Sequence, residues 1–212
     1  CGAPVVHEDG EVAYRCVSID CPAQLKERLL HWVSRGCMDV DGVGEELVDK
    51  MIEAGLLHDV ADFYSLTVDQ IAGLDTGRTY LKDDKRRGVK AGDPIPVGAT
   101  IAAKVVDELA RSKSQSLGRV LFALGIRHVG KSVGELIAGR FPTVDTLVTA
   151  SEEDIAAIDG FGGIMAESAV HFFSLPQSRH FIEQLRLAGV NMTCKAERAD
   201  DRFAGMTFVL TG

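Results

Sequence analysis

The chain has 212 residues, of which 46% are hydrophobic and 25% charged, and its formal net charge is −8 at pH 7. That size suits one or two domains of an ordinary soluble globular protein, and no apolar run approaches the ~18–20 residues that a membrane span needs. The acidic balance also argues mildly against nucleic acid, whose phosphates favour basic surfaces.

The first residues, CGAPVVHEDG, lack the charged-then-apolar layout of a signal peptide. They also lack an initiator Met, which predicts a fragment. Cys1, Cys16 and Cys21 fall within this opening segment. The stretch between them is short, polar and turn-forming and has no core of its own to bury. A segment of this kind folds when a metal closes it, and tetrahedral zinc on thiolates is the usual solution. Three thiolates leave one ligand position, to be filled by a cysteine upstream of the fragment or by His7. Cys37 and Cys194 stand apart and are read as unligated thiols. Five cysteines are an odd count, which argues against a disulfide framework.

A glycine break follows and then recurs. MDVDGVGEELVDKMI carries Val43-Gly44, PIPVGATIAAKVVDEL carries Val97-Gly98, LGIRHVGKSVGELIA carries Val129-Gly130 and AIDGFGGIMAESAV carries Phe161-Gly162. Gly98 to Gly130 is 32 residues, and Gly130 to Gly162 is 32 again. Gly44 to Gly98 is 54 residues, a surplus of 22. Thr76 to Pro96 accounts for the surplus: it is rich in glycine and charge, lacks helical periodicity, and is predicted to be an inserted loop.

The register holds beyond the glycine. Seven residues on stand Met51, Val105, Ile137 and Ala169; eight on stand Ile52, Val106, Ala138 and Val170. Four before it stand Val40, Pro94, Ile126 and Ile158, where the unit with the insertion breaks the apolar pattern. A fixed period of this length marks repeated supersecondary units that bury their faces on one another. The expected unit is helix, glycine hairpin, helix, four times over. Between units, Thr67–Gln70 and Ser151–Asp154 read as capping boxes. Ser116–Leu124 and Ser178–Ala188 read as helices, and Pro142 and Pro176 fall in predicted connections.

Two glycines around one apolar residue do more than end a helix. The apolar residue plugs the joint, and the glycines leave the backbone bare. The free N–H groups and positive dipole end of the next helix suit an anion such as phosphate. A tight helix–helix turn with no ligand is the alternative.

The repeated hairpin resembles the helix-hairpin-helix motif of DNA repair and replication proteins over Met38 to Val190. The resemblance implies that backbone amides hold duplex phosphates without reading sequence. It places the contacts at Gly42, Val43 and Gly44, at Gly98, at Arg127, His128, Gly130 and Lys131, and at Gly160, Gly162 and Gly163. Amides carry no formal charge, so such a surface is compatible with an acidic chain. Arg127, His128 and Lys131 give the third hairpin a basic edge, whereas Glu45, Glu46 and Asp49 make the first acidic.

The order of a cysteine-rich finger, four such units and the strand-like RFAGMTFVLTG is similar to the C-terminal half of bacterial NAD-dependent DNA ligases. HWVSRGCMDVDGVGEELVDKMIEAGLLHDVADFYSLT and LFALGIRHVGKSVGELIAGRF carry the likeness, and the last ten residues resemble the first strand of a BRCT domain. The resemblance implies a mainly α chain. Residues 1–24 form a truncated zinc finger, 25–195 a helix-hairpin-helix domain with an insertion at 76–96, and 196–212 a linker and a truncated BRCT strand. It implies zinc as a structural metal, with NAD and magnesium used by the full enzyme at sites outside this fragment. The Lys-x-Asp-Gly adenylation motif is absent from these residues, so no catalytic residue is expected here and the fragment is expected to be inert alone. The implied partners are duplex DNA at nicks and the upstream adenylation and nucleotide-binding domains, in a bacterial cytoplasm and without a membrane. Two other readings are a helix-hairpin-helix module of another repair protein and a scaffold that docks proteins. A hydrolase finds no nucleophile–base cluster.

Overall fold

The computed structural model describes residues 2–7, 12, 14–16 and 21–194. Cys1 and the expected linker and BRCT strand at 196–212 lie outside the described residues. Among those described, the chain is mainly helical. A small antiparallel hairpin of β1 (Val5–His7) and β2 (Tyr14–Cys16) leads into α1 (Pro22–Val33). Then come α2 (Glu45–Glu53), a 3₁₀ turn (Ala61–Ser65) and α3 (Val68–Ala72). A second ribbon pairs β3 (Asp75–Thr79) with β4 (Pro94–Pro96). The rest is helical: α4 (Ala99–Ser112), α5 (Leu117–Ala123), α6 (Lys131–Arg140), α7 (Val144–Val148), α8 (Glu152–Ala156), α9 (Gly163–Ser174) and α10 (Pro176–Leu187). No described helix is long and apolar enough to cross a membrane.

Local chemistry explains the helix starts. Thr67 and Ser151 cap α3 and α8 in full capping boxes with Gln70 and Asp154, as their spacing predicts. Thr143 and Thr146 form a third box at α7, and Ser116 caps α5 through the Arg119 amide. Pro176 is not in a connection. It is the first residue of α10, where its missing N–H removes nothing from the helix and its fixed φ suits the first turn. The stretch 76–96 is likewise no irregular loop. Asp75 pairs with Pro96 and Thr79 with Pro94, while Tyr80 and Asp93 extend the ladder. Helical periodicity could not reveal this pairing because its partners stand 13 or more residues apart.

One core runs through the helical units. Met51, Val105, Ile137 and Ala169, the residues seven past the hairpin glycines, are buried to 1% exposure or less. Trp32 is fully buried at the hub. Its indole N–H donates to the Tyr64 hydroxyl at 3.0 Å, which lies 3.2 Å from Ser112 Oγ on α4. The Trp32 ring also meets Phe181 of α10 edge-on. Cys37 is spent in this core, 3.5 Å from His31 Nε2; that contact, against the effect of burial, raises the imidazole above its ordinary pKa.

Helices α5 and α6 pack closest. A Cβ on Gly134 would lie 2.5 Å from the Gly118 carbonyl oxygen, so the approach of these helices requires glycine there. Gly134→Ala is therefore expected to destabilise the chain by about 2 kcal/mol in urea unfolding, the usual range for overpacking against backbone.

Candidate nucleic-acid interface

The glycines Gly44, Gly98, Gly130 and Gly162 are the N-caps of α2, α4, α6 and α9. None of these four helices has a side-chain cap, whereas α3, α5, α7 and α8 all begin on a Ser or Thr that accepts from the first turn. In each glycine-capped helix the glycine carbonyl accepts from the amide four residues on, at 2.9–3.3 Å. The preceding amides have no acceptor within their own helix. Among the described residues, those of Gly130, Lys131 and Ser132, and of Gly162, Gly163 and Ile164, make no hydrogen bond. These residues are all exposed.

The hairpins share a backbone form. Gly42, His128 and Gly160, each two residues before the cap, have φ of 84°, 63° and 83°. The apolar plugs Val43 and Val129 are buried, and Phe161 packs partly against the core. The second hairpin differs: Pro96 stands two residues before its cap, and Gly98 itself takes the left-handed φ of 85°. Its amide donates to Ala72 at 3.0 Å, so this hairpin offers one donor fewer. The insertion enters at this hairpin.

The cap glycines pose a sharper question. Gly44, Gly130 and Gly162 have φ of −106°, −78° and −97°, which any residue adopts. A Cβ on any of them would meet nothing within 4 Å. Neither backbone conformation nor internal packing requires the missing side chain. What it leaves is clear space in front of an unclaimed row of amides at the positive end of a helix, the arrangement that receives an anion.

Charge has been redistributed around the hairpins. Arg127 and His128 sit together, with Arg127 Nε 3.0 Å from His128 Nε2, and Lys131 opens α6 beside them. In the first hairpin, Lys26 of α1 bridges Glu45 at 2.7 Å and Asp49 at 2.8 Å. Asp49, then Glu45, hold its ammonium above the ordinary lysine value. Two of the acids that make this hairpin look repulsive are thereby paired. A shallow groove of about 460 Å3 runs beside it, lined by Ser34, Arg35 and Gly42 to Gly44. Arg35 had no periodicity or motif to mark it; only the turn after α1 brings it to the lip.

The first hairpin is fixed from behind. Arg119 donates to the carbonyls of Cys37 at 2.6 Å and Arg35 at 2.7 Å, Gln115 to that of Met38 at 3.0 Å, and Arg111 to that of Asp39 at 2.8 Å. These donors come from α4, α5 and the turn between them, so the hairpins are parts of one packed body.

At the other end, Cys16 closes β2 and Cys21 is the buried N-cap of α1. Burial pushes the Cys21 thiol up, but the Ala23 amide, a hydrogen bond with Cys16 and the Gln24 amide together hold it below its ordinary value. Two adjacent sulfurs, Cys16 and Cys21, fit a metal such as zinc. His7 is exposed and lies against the Tyr14 ring at 4.7 Å. Among the described residues no three metal-ligating side chains stand together, and Cys1 lies outside them.

Residues 119–182 match the helix-hairpin-helix motif and residues 1–23 the NAD-dependent DNA ligase C4 zinc finger domain. Over all its 212 residues the chain is similar to DNA ligases: it is 38% identical to that of Acidobacterium capsulatum, of which it covers 28%. It is 39% identical to the DNA ligase of Anoxybacillus flavithermus and 41% to that of Bacillus cytotoxicus, covering 29% and 30% of each. The chain spans less than a third of the length of these relatives.

His128 stands in the left-handed region where the first and fourth hairpins have glycine. His tolerates it better than a β-branched residue does. His128→Val should destabilise by about 1–2 kcal/mol and His128→Gly should be neutral or slightly stabilising, as read by the midpoint of urea unfolding.

Proposed function

We propose that this chain is the DNA-gripping part of an NAD-dependent DNA ligase, from its C-terminal half. Its four glycine-capped units are helix-hairpin-helix motifs that hold duplex DNA by its phosphates, without reading sequence. The observation that carries the reading is the bareness of Gly44, Gly130 and Gly162, which no feature of the fold requires. The contacts fall at Gly42, Val43 and Gly44, at Gly98, at Arg127, His128, Gly130 and Lys131, and at Gly160, Gly162 and Gly163, with Arg35 added beside the first hairpin.

In the whole enzyme, AMP passes from NAD⁺ to a lysine and then to the 5′-phosphate of a nick, and the 3′-hydroxyl displaces it with magnesium present. None of these steps is assigned to residues of this chain. Its contribution is positional: it closes on the duplex opposite the catalytic part and keeps the two ends in line. Cys16 and Cys21, with Cys1 and a fourth ligand, would hold a structural zinc that joins the β1–β2 hairpin to the start of α1. Residues 196–212 are read as a linker and the first strand of a BRCT domain, and the site of action as the bacterial cytoplasm.

The test is duplex binding across a salt series, with a nicked and an intact duplex of the same sequence. Binding that falls steeply with salt and barely separates the two is expected. Gly130→Ala with Gly162→Ala should lower affinity about tenfold or more, while each substitution destabilises the fold by no more than about 1 kcal/mol. A folded chain that binds no duplex even at low salt would sink the reading and favour a protein-docking scaffold. For the finger, Cys21→Ser is expected to lose bound zinc and Cys194→Ser to retain it, measured as metal released per chain.

A further inference from the structure

The β3–β4 ribbon is rich in cations for a segment of an acidic chain. Between Thr76 and Pro96 stand Arg78, Lys82, Lys85, Arg86, Arg87 and Lys90 against Asp83, Asp84 and Asp93, while the whole chain carries −8. The fold then separates these charges further. Every aspartate of the ribbon is turned onto the ribbon's own backbone. Asp75 accepts from the Gly77 amide at 2.8 Å and Asp83 from Ala91 at 2.9 Å. Asp84 accepts from Arg86 at 2.9 Å and Asp93 from Lys90 at 2.6 Å. Only Arg87 among the six cations is ion-paired within the described residues, at 3.6 Å from Asp84. Arg78, Lys82, Lys85, Arg86 and Lys90 are exposed and unpaired.

Position gives these cations a direction. The ribbon leaves the core after α3 and returns at Val97 and Gly98, the lip of the second hairpin. Two hydrogen bonds, Val97 to Leu74 at 2.9 Å and Gly98 to Ala72 at 3.0 Å, tie its base to that lip. At about 3.3 Å per residue, the strand from Asp75 to the turn at Asp84 reaches at most roughly 30 Å. The second hairpin is also the one that has lost a free amide. A cationic arm rooted there places side-chain charge where the backbone site is weakest.

We infer that this ribbon is an electrostatic arm that lies along the phosphate backbone of the duplex beyond the hairpins and lengthens the bound footprint. The inference rests on the duplex-binding reading above. Its partner is duplex DNA as a polyanion, held by charge and without sequence preference.

The two kinds of contact leave different signatures. Side-chain cations release counterions, about 0.9 in the slope of log affinity against log salt for each phosphate neutralised. Amides do not add charge. The experiment compares the unsubstituted chain, K82Q/K85Q/R86Q/K90Q and G130A/G162A on one intact duplex from about 50 to 200 mM salt, with circular dichroism confirming the fold. The arm variant should bind about 10–100-fold more weakly at the lowest salt, with a slope shallower by about 2–4. The hairpin variant should weaken binding at every salt with little change of slope. An arm variant that matches the unsubstituted chain in affinity and slope overturns the arm and leaves the hairpin reading standing. An unsubstituted chain that binds no duplex overturns both.

Discussion

A helix begins with amides that its own carbonyls cannot reach, and what meets those amides decides how the helix start is used. This chain answers the question in two ways. Helices α3, α5, α7 and α8 turn a Ser or Thr oxygen onto the first turn. Helices α2, α4, α6 and α9 begin on glycine and turn nothing onto it. Glycine in place of a capping side chain costs only about a few tenths of a kcal/mol. Leaving the donors open is therefore cheap, and the rest of the fold can be understood as the frame that holds these open ends in place. The buried faces of α2, α4, α6 and α9 fix their directions, and the carbonyl clamps of Arg111, Gln115 and Arg119 fix the first hairpin.

The proposed grip of an acidic chain on a polyanion needs a physical account, and the structure offers three parts of one. The proposed contact surface is built largely of amides and helix ends, which contribute positive potential without formal charge. Acids near the first hairpin are paired internally by Lys26. The ribbon spends its aspartates on its own turns and leaves its cations outside. Net charge is a sum over the chain, whereas a ligand meets the local field.

The parts of this architecture that were legible in the sequence are those that local rules control. The glycine caps, the apolar residues seven and eight positions later and two of the three capping boxes follow from periodicity and from short-range hydrogen bonding. The small or apolar residues four past each cap (Val48, Ala102, Gly134 and Ala166) stand in that same register, and all are buried. Pro176 was misplaced because proline ends helices as readily as it begins them. The β3–β4 ribbon, the Lys26 bridge and the place of Arg35 could not be read. Each depends on contacts between residues that only the folded chain brings together, and a charge-rich segment gives no period to betray its pairing.

If the gripping atoms are backbone amides, as proposed, side-chain chemistry at the hairpins has little leverage on the contact beyond obstructing it. The positions of the amides are set by the core behind them. Met51, Val105, Ile137 and Ala169 seat the second helix of each unit, and Gly134 sets how near α6 comes to α5. Small errors in that seating would displace a whole row of donors at once, since a helix moves as a rigid body. The tight glycine contact under the third hairpin and the bare glycine at its lip thus serve the same end from opposite sides. One brings the helix to its place, and the other leaves room for what arrives there.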